Sequence, residues 1–160
     1  QHQLDRVRRL SRAVSRKVKG SRNQQKARWL LHRTLIRVAD KRQDFHYQLA
    51  HELCDNFEVL VFEDLTLAGM KYLWGRKVSD LGFGKFIKIV EQVAFKRGKT
   101  VIFINRFEPT SQICSRCGKR QKLKLSDRVY QCECGLCLDR DHNAAINIQR
   151  AGASAHTARE

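Results

Sequence analysis

Cys114-Ser115-Arg116-Cys117-Gly118, then Cys132-Glu133-Cys134-Gly135-Leu136-Cys137, running on into Asp139-Arg140-Asp141-His142-Asn143-Ala144-Ala145, is the stretch on which the reading of this chain turns. Closely spaced cysteines are soft thiolate donors suited to a structural ion such as zinc, whereas the carboxylates just beyond suit hard magnesium or manganese beside phosphate. Cys114 and Cys117, with two residues between them and Gly118 free to take the positive φ of a tight knuckle, aim both sulfurs at one ion. The second half offers Cys132, Cys134 and Cys137, and spacing alone leaves the choice open. Gly135 follows Cys134 as Gly118 follows Cys117, which favours Cys132 and Cys134, with Cys137 as the competing candidate. Between the halves, Leu123 to Gln131 alternates apolar and polar residues around Ser126-Asp127 and predicts the hairpin of a zinc ribbon.

The rest of the composition fits this reading. Thirty-two Lys and Arg stand against 16 Asp and Glu in 160 residues, a net charge of +16 that calls for a polyanionic partner, nucleic acid first. With 42% apolar residues there is enough for a core, and disorder throughout is not expected. No apolar run reaches the length of a membrane span or the middle of a signal peptide, so no membrane partner and a cytoplasmic setting are expected. Five of the six cysteines fall between 114 and 137, a crowding that fits metal ligation better than disulfides, and Cys54 reads as a small buried apolar residue.

Outward from the cysteines, the order of elements is α/β. Ser21 with Gln24 reads as a capping box opening a long helix, along which Ala27, Leu31, Leu35, Val38, Phe45, Leu49 and Leu53 recur on one face while Arg28, Arg33, Arg37 and Lys41 point elsewhere. Val59 to Phe62 reads as a buried strand that delivers Glu63-Asp64, followed by a turn-rich stretch with Gly69, Gly75, Gly82 and Gly84. Phe83 to Arg97 has helical periodicity, and Thr100 to Ile104 is a second buried strand; strand, helix, strand predicts a parallel crossover. A last helix runs from the Asp139 region through Ile148, with Asp139 well placed as its N-cap.

Metal-dependent nucleases hold two ions about 4 Å apart between converging carboxylates. Glu63 at a strand end and Asp139 and Asp141 at a helix start are the candidates, against a bland reading in which Glu63 is a solvent-facing strand end and Asp139 only a cap. Ser15-Arg16-Lys17 with Lys19-Gly20-Ser21, Val61-Phe62-Glu63-Asp64-Leu65 with Gly69-Met70, Pro109-Thr110-Ser111 leading to Cys114, and Asp139 to Ile148 together resemble the C-terminal part of the TnpB (OrfB) family of insertion-sequence proteins. That family is similar in turn to the RuvC-like nuclease region of type V CRISPR effectors.

The resemblance implies a partial RNase H-like (RuvC) fold over 1–108, helical over 1–56, with a four-cysteine zinc ribbon inserted at 109–138 and the domain completed by a helix and tail at 139–160. It implies a prokaryotic, RNA-guided DNA endonuclease with DNA and guide RNA as partners, structural zinc, and catalytic magnesium or manganese. By position, Glu63 matches the second catalytic carboxylate and Asp141 the third, with Asp139 supporting, and Cys114, Cys117, Cys132 and Cys134 match the ribbon ligands with a second knuckle one residue shorter than usual. Phosphate contacts are expected from Arg16, Lys17, Lys19, Arg22, Lys26, Arg116 and Arg140. The family's first catalytic Asp sits in a Gly-Ile-Asp-like motif on an opening strand; Asp5, in a basic helical context, is not it, so the resemblance implies a fragment that cuts poorly alone. Two other readings follow: a non-catalytic nucleic-acid-binding module, and a ribosomal or transcription zinc ribbon, which leaves Glu63 and the Asp139 run unexplained.

Overall fold

The computed structural model describes residues 2–65, 82–124 and 126–157. The stretch holding Gly69, Met70 and Gly75 lies outside them. The chain divides into two compact units, Gln1–Glu52 and Leu53–Glu160. Among the described residues no helix is long and apolar enough to cross a membrane.

The first unit is helical. Helix α1 (His2–Ser15) carries Arg12 in its last turn, where a cation meets the negative end of the helix dipole. A turn at Gly20, with φ +81°, separates it from α2 (Arg22–Asn56), a helix of 35 residues that continues into the second unit. The expected cap is present: the Gln24 amide donates to Ser21 Oγ at 3.2 Å. Gln24 Oε1 reaches one residue farther back than in the standard box and accepts the Gly20 amide at 2.8 Å.

The buried line of α2 is turned by one residue from the expected one. Thr34, His46, Ala50 and Cys54 are buried, while Leu35 and Phe45 are exposed and Leu31, Val38, Leu49 and Leu53 are half-buried. One residue is 100° of helix, so a periodicity that finds the right period still leaves the phase open when the closest-packed positions are short side chains. Thr34 needs no outside partner there, since its hydroxyl donates to Leu30 O at 2.8 Å.

The second unit is α/β. Strand β1 (Val59–Glu63), helix α3 (Phe83–Lys96) and strand β2 (Thr100–Ile104) follow the expected order, and β1 pairs β2 in parallel, with Val59 opposite Thr100 and Glu63 opposite Ile104. Gly98, at φ +66°, turns the chain from α3 toward β2. Leu60 and Ile102 from the strands, with Ile89, Val90, Val93 and Ala94 from α3, form the core. The last helix α4 (Arg140–Thr157) packs on both strands, and Gly152 lies so close to Val61 that a Cβ there would overlap the valine side chain.

The ribbon differs from its expected hairpin. Short strands β3 (Val129–Gln131) and β4 (Cys137–Asp139) pair antiparallel across the second cysteine knuckle, and residues 121–124 form no strand. Asp127 explains the difference. Its carboxylate accepts the Lys124 amide at 2.8 Å and its own amide donates to Lys124 O at 3.1 Å, a local turn that competes with extended pairing.

Candidate functional site

The two knuckles are copies of one turn at different lengths. In the first, the Gly118 amide donates to Cys114 O and the Cys114 amide to Lys119 O, both at 2.9 Å; in the second, Gly135 donates to Cys132 O and Cys132 to Leu136 O, again at 2.9 Å. Gly118 and Gly135 both have positive φ, +76° and +87°, which a residue with a Cβ adopts only with strain. The second loop is a residue shorter and keeps the same closure.

The sulfurs of Cys114, Cys117, Cys132 and Cys134 all lie within 4.8 Å of one another. Cys114 Sγ and Cys134 Sγ are 3.6 Å apart, as are Cys117 Sγ and Cys132 Sγ. A disulfide would hold them near 2 Å, whereas a tetrahedron with Zn–S bonds of about 2.3 Å sets its sulfurs about 3.8 Å apart. The cluster thus fits a metal ion such as zinc. Cys137 stands apart, exposed on β4 with its sulfur 3.9 Å from Gln131 Nε2.

Electrostatics in the cluster are uneven. Burial pushes the Cys114 thiol up, but the Cys117 and Arg116 amides and the Cys132 and Cys134 sulfurs outweigh it and bring Cys114 down to about 6. At Cys132 the Cys134 amide pulls the other way, yet burial and the three neighbouring sulfurs push it up to about 12. Four thiols this close share protons reluctantly given up in turn, and a divalent cation is what lets all of them ionise together. Behind them, fully buried Tyr130 sets its hydroxyl 3.2 Å from both Gln112 O and Lys119 O, bracing the first knuckle.

Two asparagines, present in the motif but given no role by sequence reasoning, join the ribbon to α4. Asn143, fully buried, accepts the Ser115 amide at 2.9 Å and donates to Ile113 O at 2.8 Å. Asn147, one helical turn on, donates to the same Ile113 O at 2.7 Å and to Thr110 O at 2.8 Å. A buried amide with a donor and an acceptor both used is a specific fastener, and the four-residue spacing of the two asparagines was the available signal.

Thr110 carries the connection to the strand. Its hydroxyl donates to Glu63 Oε1 at 3.2 Å, so the carboxylate at the end of β1 is tied to the segment that leads into Cys114. Asp64, just past the strand, instead meets Arg106 at 2.5 Å. Glu63 also borders an apolar cleft of about 430 Å³ lined by Phe62, Phe83, Phe86 and Phe103.

Asp139 is the N-cap of α4: its Oδ1 accepts the Asp141 amide at 2.8 Å and the His142 amide at 3.2 Å. Asp141 is exposed in the first turn. Among the described residues the four cysteines are the only group of three or more His, Cys, Asp or Glu with ligand atoms that close, so Glu63, Asp139 and Asp141 are not drawn into one such cluster. Of the expected phosphate-binding residues, Arg16, Lys17, Lys19, Arg22 and Lys26 are exposed around the α1–α2 turn. Arg140 is partly committed elsewhere, donating to Lys124 O and Asp127 O at 3.1 Å each, and Arg116 donates to Cys134 O at 3.3 Å.

The model of the "Cas12f1-like, TNB domain" matches residues 83–148, and the OrfB_IS605 model, described as "Probable transposase", matches residues 1–73. The chain belongs to the TnpB (OrfB) family. A family relative from Streptomyces pristinaespiralis, named "Putative RNA-guided DNA endonuclease", is 37% identical over 153 residues, covering 94% of this chain and 38% of its own length. TnpB-like protein L79 of Acanthamoeba polyphaga mimivirus is 34% identical over 125 residues, 72% of this chain and 24% of the relative. The "Putative RNA-guided DNA endonuclease InsQ" of Escherichia coli K12 is 30% identical over 163 residues, 90% of this chain and 40% of the relative. The chain thus spans two-fifths or less of these TnpB-family relatives.

Proposed function

We propose that this chain is the C-terminal part of an RNA-guided DNA endonuclease of the TnpB family, with a RuvC-like domain at 1–108 and 139–160 and a zinc ribbon at 109–138. In the complete protein it binds DNA and guide RNA and supplies Glu63 and Asp141 to a phosphodiester-cleaving site, with Asp139 fixing the start of the helix that carries Asp141. The observation that carries this reading is the hydrogen bond from Thr110 to Glu63, because it connects the strand-end carboxylate to the segment fastened to α4 by Asn147. Names of the relatives, RNA-guided DNA endonuclease among them, support the same activity.

Divalent magnesium or manganese would supply an activated water and a counter-charge for the leaving oxygen. Among the described residues the carboxylates do not by themselves form the cage for such ions, so we propose that a further acidic residue completes it. Zinc at Cys114, Cys117, Cys132 and Cys134 is structural here, since four protein sulfurs leave it no open position.

In the complete protein, Glu63→Gln or Asp141→Asn is expected to reduce magnesium-dependent DNA cleavage to background while nucleic-acid affinity stays within about twofold, as carboxylate-to-amide changes preserve shape and remove the metal ligand. Cleavage at the parent rate in either variant refutes the assignment. A second reading, a non-catalytic zinc-ribbon module that only binds nucleic acid, is favoured by the engagement of Asp139 as a cap and by the absence of a carboxylate cluster among the described residues. It expects no cleavage from the complete protein with any carboxylate intact.

A further inference from the structure

Between Asp5 and Asp40 the chain has twelve Arg and Lys and no Asp or Glu. Within that stretch Arg22, Lys26, Trp29, Arg33 and Arg37 follow one another at steps of four, three, four and four residues along α2, so they form a single stripe. It extends over about 22 Å of helix. All five are exposed, Trp29 by 59%, and none of the four cations has an ion-pair partner among the described residues. The Arg33 guanidinium carbon stands 4.6 Å from the centroid of the Trp29 ring. Two open grooves meet at that ring, one lined by Arg28, His32 and Leu35 and the other by Gln25, Lys26 and Leu30.

Resting on the nucleic-acid reading above and going beyond its phosphate contacts, we propose that Trp29 is a stacking platform for an unpaired base of a single-stranded nucleic acid. Lys26, Arg33 and the neighbouring cations of the stripe hold its phosphates on either side. An exposed indole costs free energy in water and is offset when a flat, polarisable ring covers it. The charge around it selects the occupant. An apolar protein surface laid on this stripe would strip water from cations it could not pair, whereas a strand of nucleic acid brings one phosphate per base and a ring of its own. Arg33, already over the indole, pre-organises the site, since a guanidinium stacks as readily on a base as on tryptophan.

Trp74 is the other of the chain's two tryptophans, so Trp74→Phe leaves Trp29 as the sole indole reporter. That zinc-loaded full chain is titrated with thymidine and uridine 12-mers, with a 12-mer of abasic sugar phosphate, and with anionic phosphatidylserine vesicles. Stacking predicts that at least one of the base-bearing strands quenches Trp29 emission and the abasic strand binds without quenching. Trp29→Ala then weakens base-bearing strands roughly 5- to 100-fold and leaves the abasic strand unchanged, while Trp29→Phe retains most of the affinity. Circular dichroism of the two variants establishes that α2 is intact. Equal losses for the base-bearing and abasic strands, or binding without quenching, overturn the platform and leave the nucleic-acid reading standing. Failure of every strand to bind overturns both for this chain, and a response to vesicles alone reassigns the stripe to a lipid surface.

Discussion

Asn143 shows what one side chain contributes when both ends of its amide are used in the interior. It accepts the Ser115 amide and donates to Ile113 O, on either side of Cys114. Asn143→Leu keeps the branched outline and strands the buried Ser115 amide, at about 1–3 kcal/mol, while Ile113 O keeps its bond from Asn147. Denaturant unfolding of the zinc-loaded chain is expected to show a loss of about 1–3 kcal/mol, and a change below about 0.5 kcal/mol would mean that water replaces the amide. This residue was visible in the sequence only as part of a motif. Its partners are backbone atoms thirty and twenty-eight positions away, and backbone atoms leave no mark in composition or spacing. The cysteines were legible for the opposite reason: the ligands declare their chemistry, and the glycine after each knuckle declares the turn. Glu63 lies between, since its position at a strand end could be read but its bond to Thr110, forty-seven residues on, could not.

At the scale of elements, strands and helices with local causes were readable and pairings decided by competition were not. Val59–Glu63, Phe83–Lys96 and Thr100–Ile104 declare themselves by apolar runs and a helical period, and the parallel pairing follows from their order. The hairpin expected around Ser126-Asp127 fails because Asp127 satisfies Lys124 locally, leaving β3 to pair with β4 instead. The α4–β1 contact depends on a missing side chain: Gly152→Ala places a methyl inside Val61, and thermal unfolding should show destabilisation of about 1–3 kcal/mol, relieved in part by Val61→Ala on the same background. The ribbon can be checked by counting thiols. With zinc bound, exposed Cys137 alone should react quickly with a thiol reagent, and chelation should add the four cluster cysteines. Cys54 should lag in both states of the folded chain, because burial raises its pKa and keeps it protonated. Rapid labelling of Cys132 with zinc present, or protection of Cys137, would put a different set of sulfurs on the metal.

For the whole molecule, charge and family were the most legible properties and placement in space the least. The +16 charge and the ordered motifs identified a member of the TnpB family, whereas the phase of α2 and the membership of the cysteine cluster needed coordinates. The chain covers 38% of its Streptomyces relative, so the architecture of that relative is larger than what these residues build. Among the described residues, β1 and β2 have only each other as strand partners. The outer row of amides and carbonyls on each, paired by no described strand, is a template for another strand, and mutual repulsion between highly cationic copies is the barrier to their meeting. Raising ionic strength shortens the reach of that repulsion to about 3 Å at 1 M, so high salt removes this protein's protection against sticking to itself.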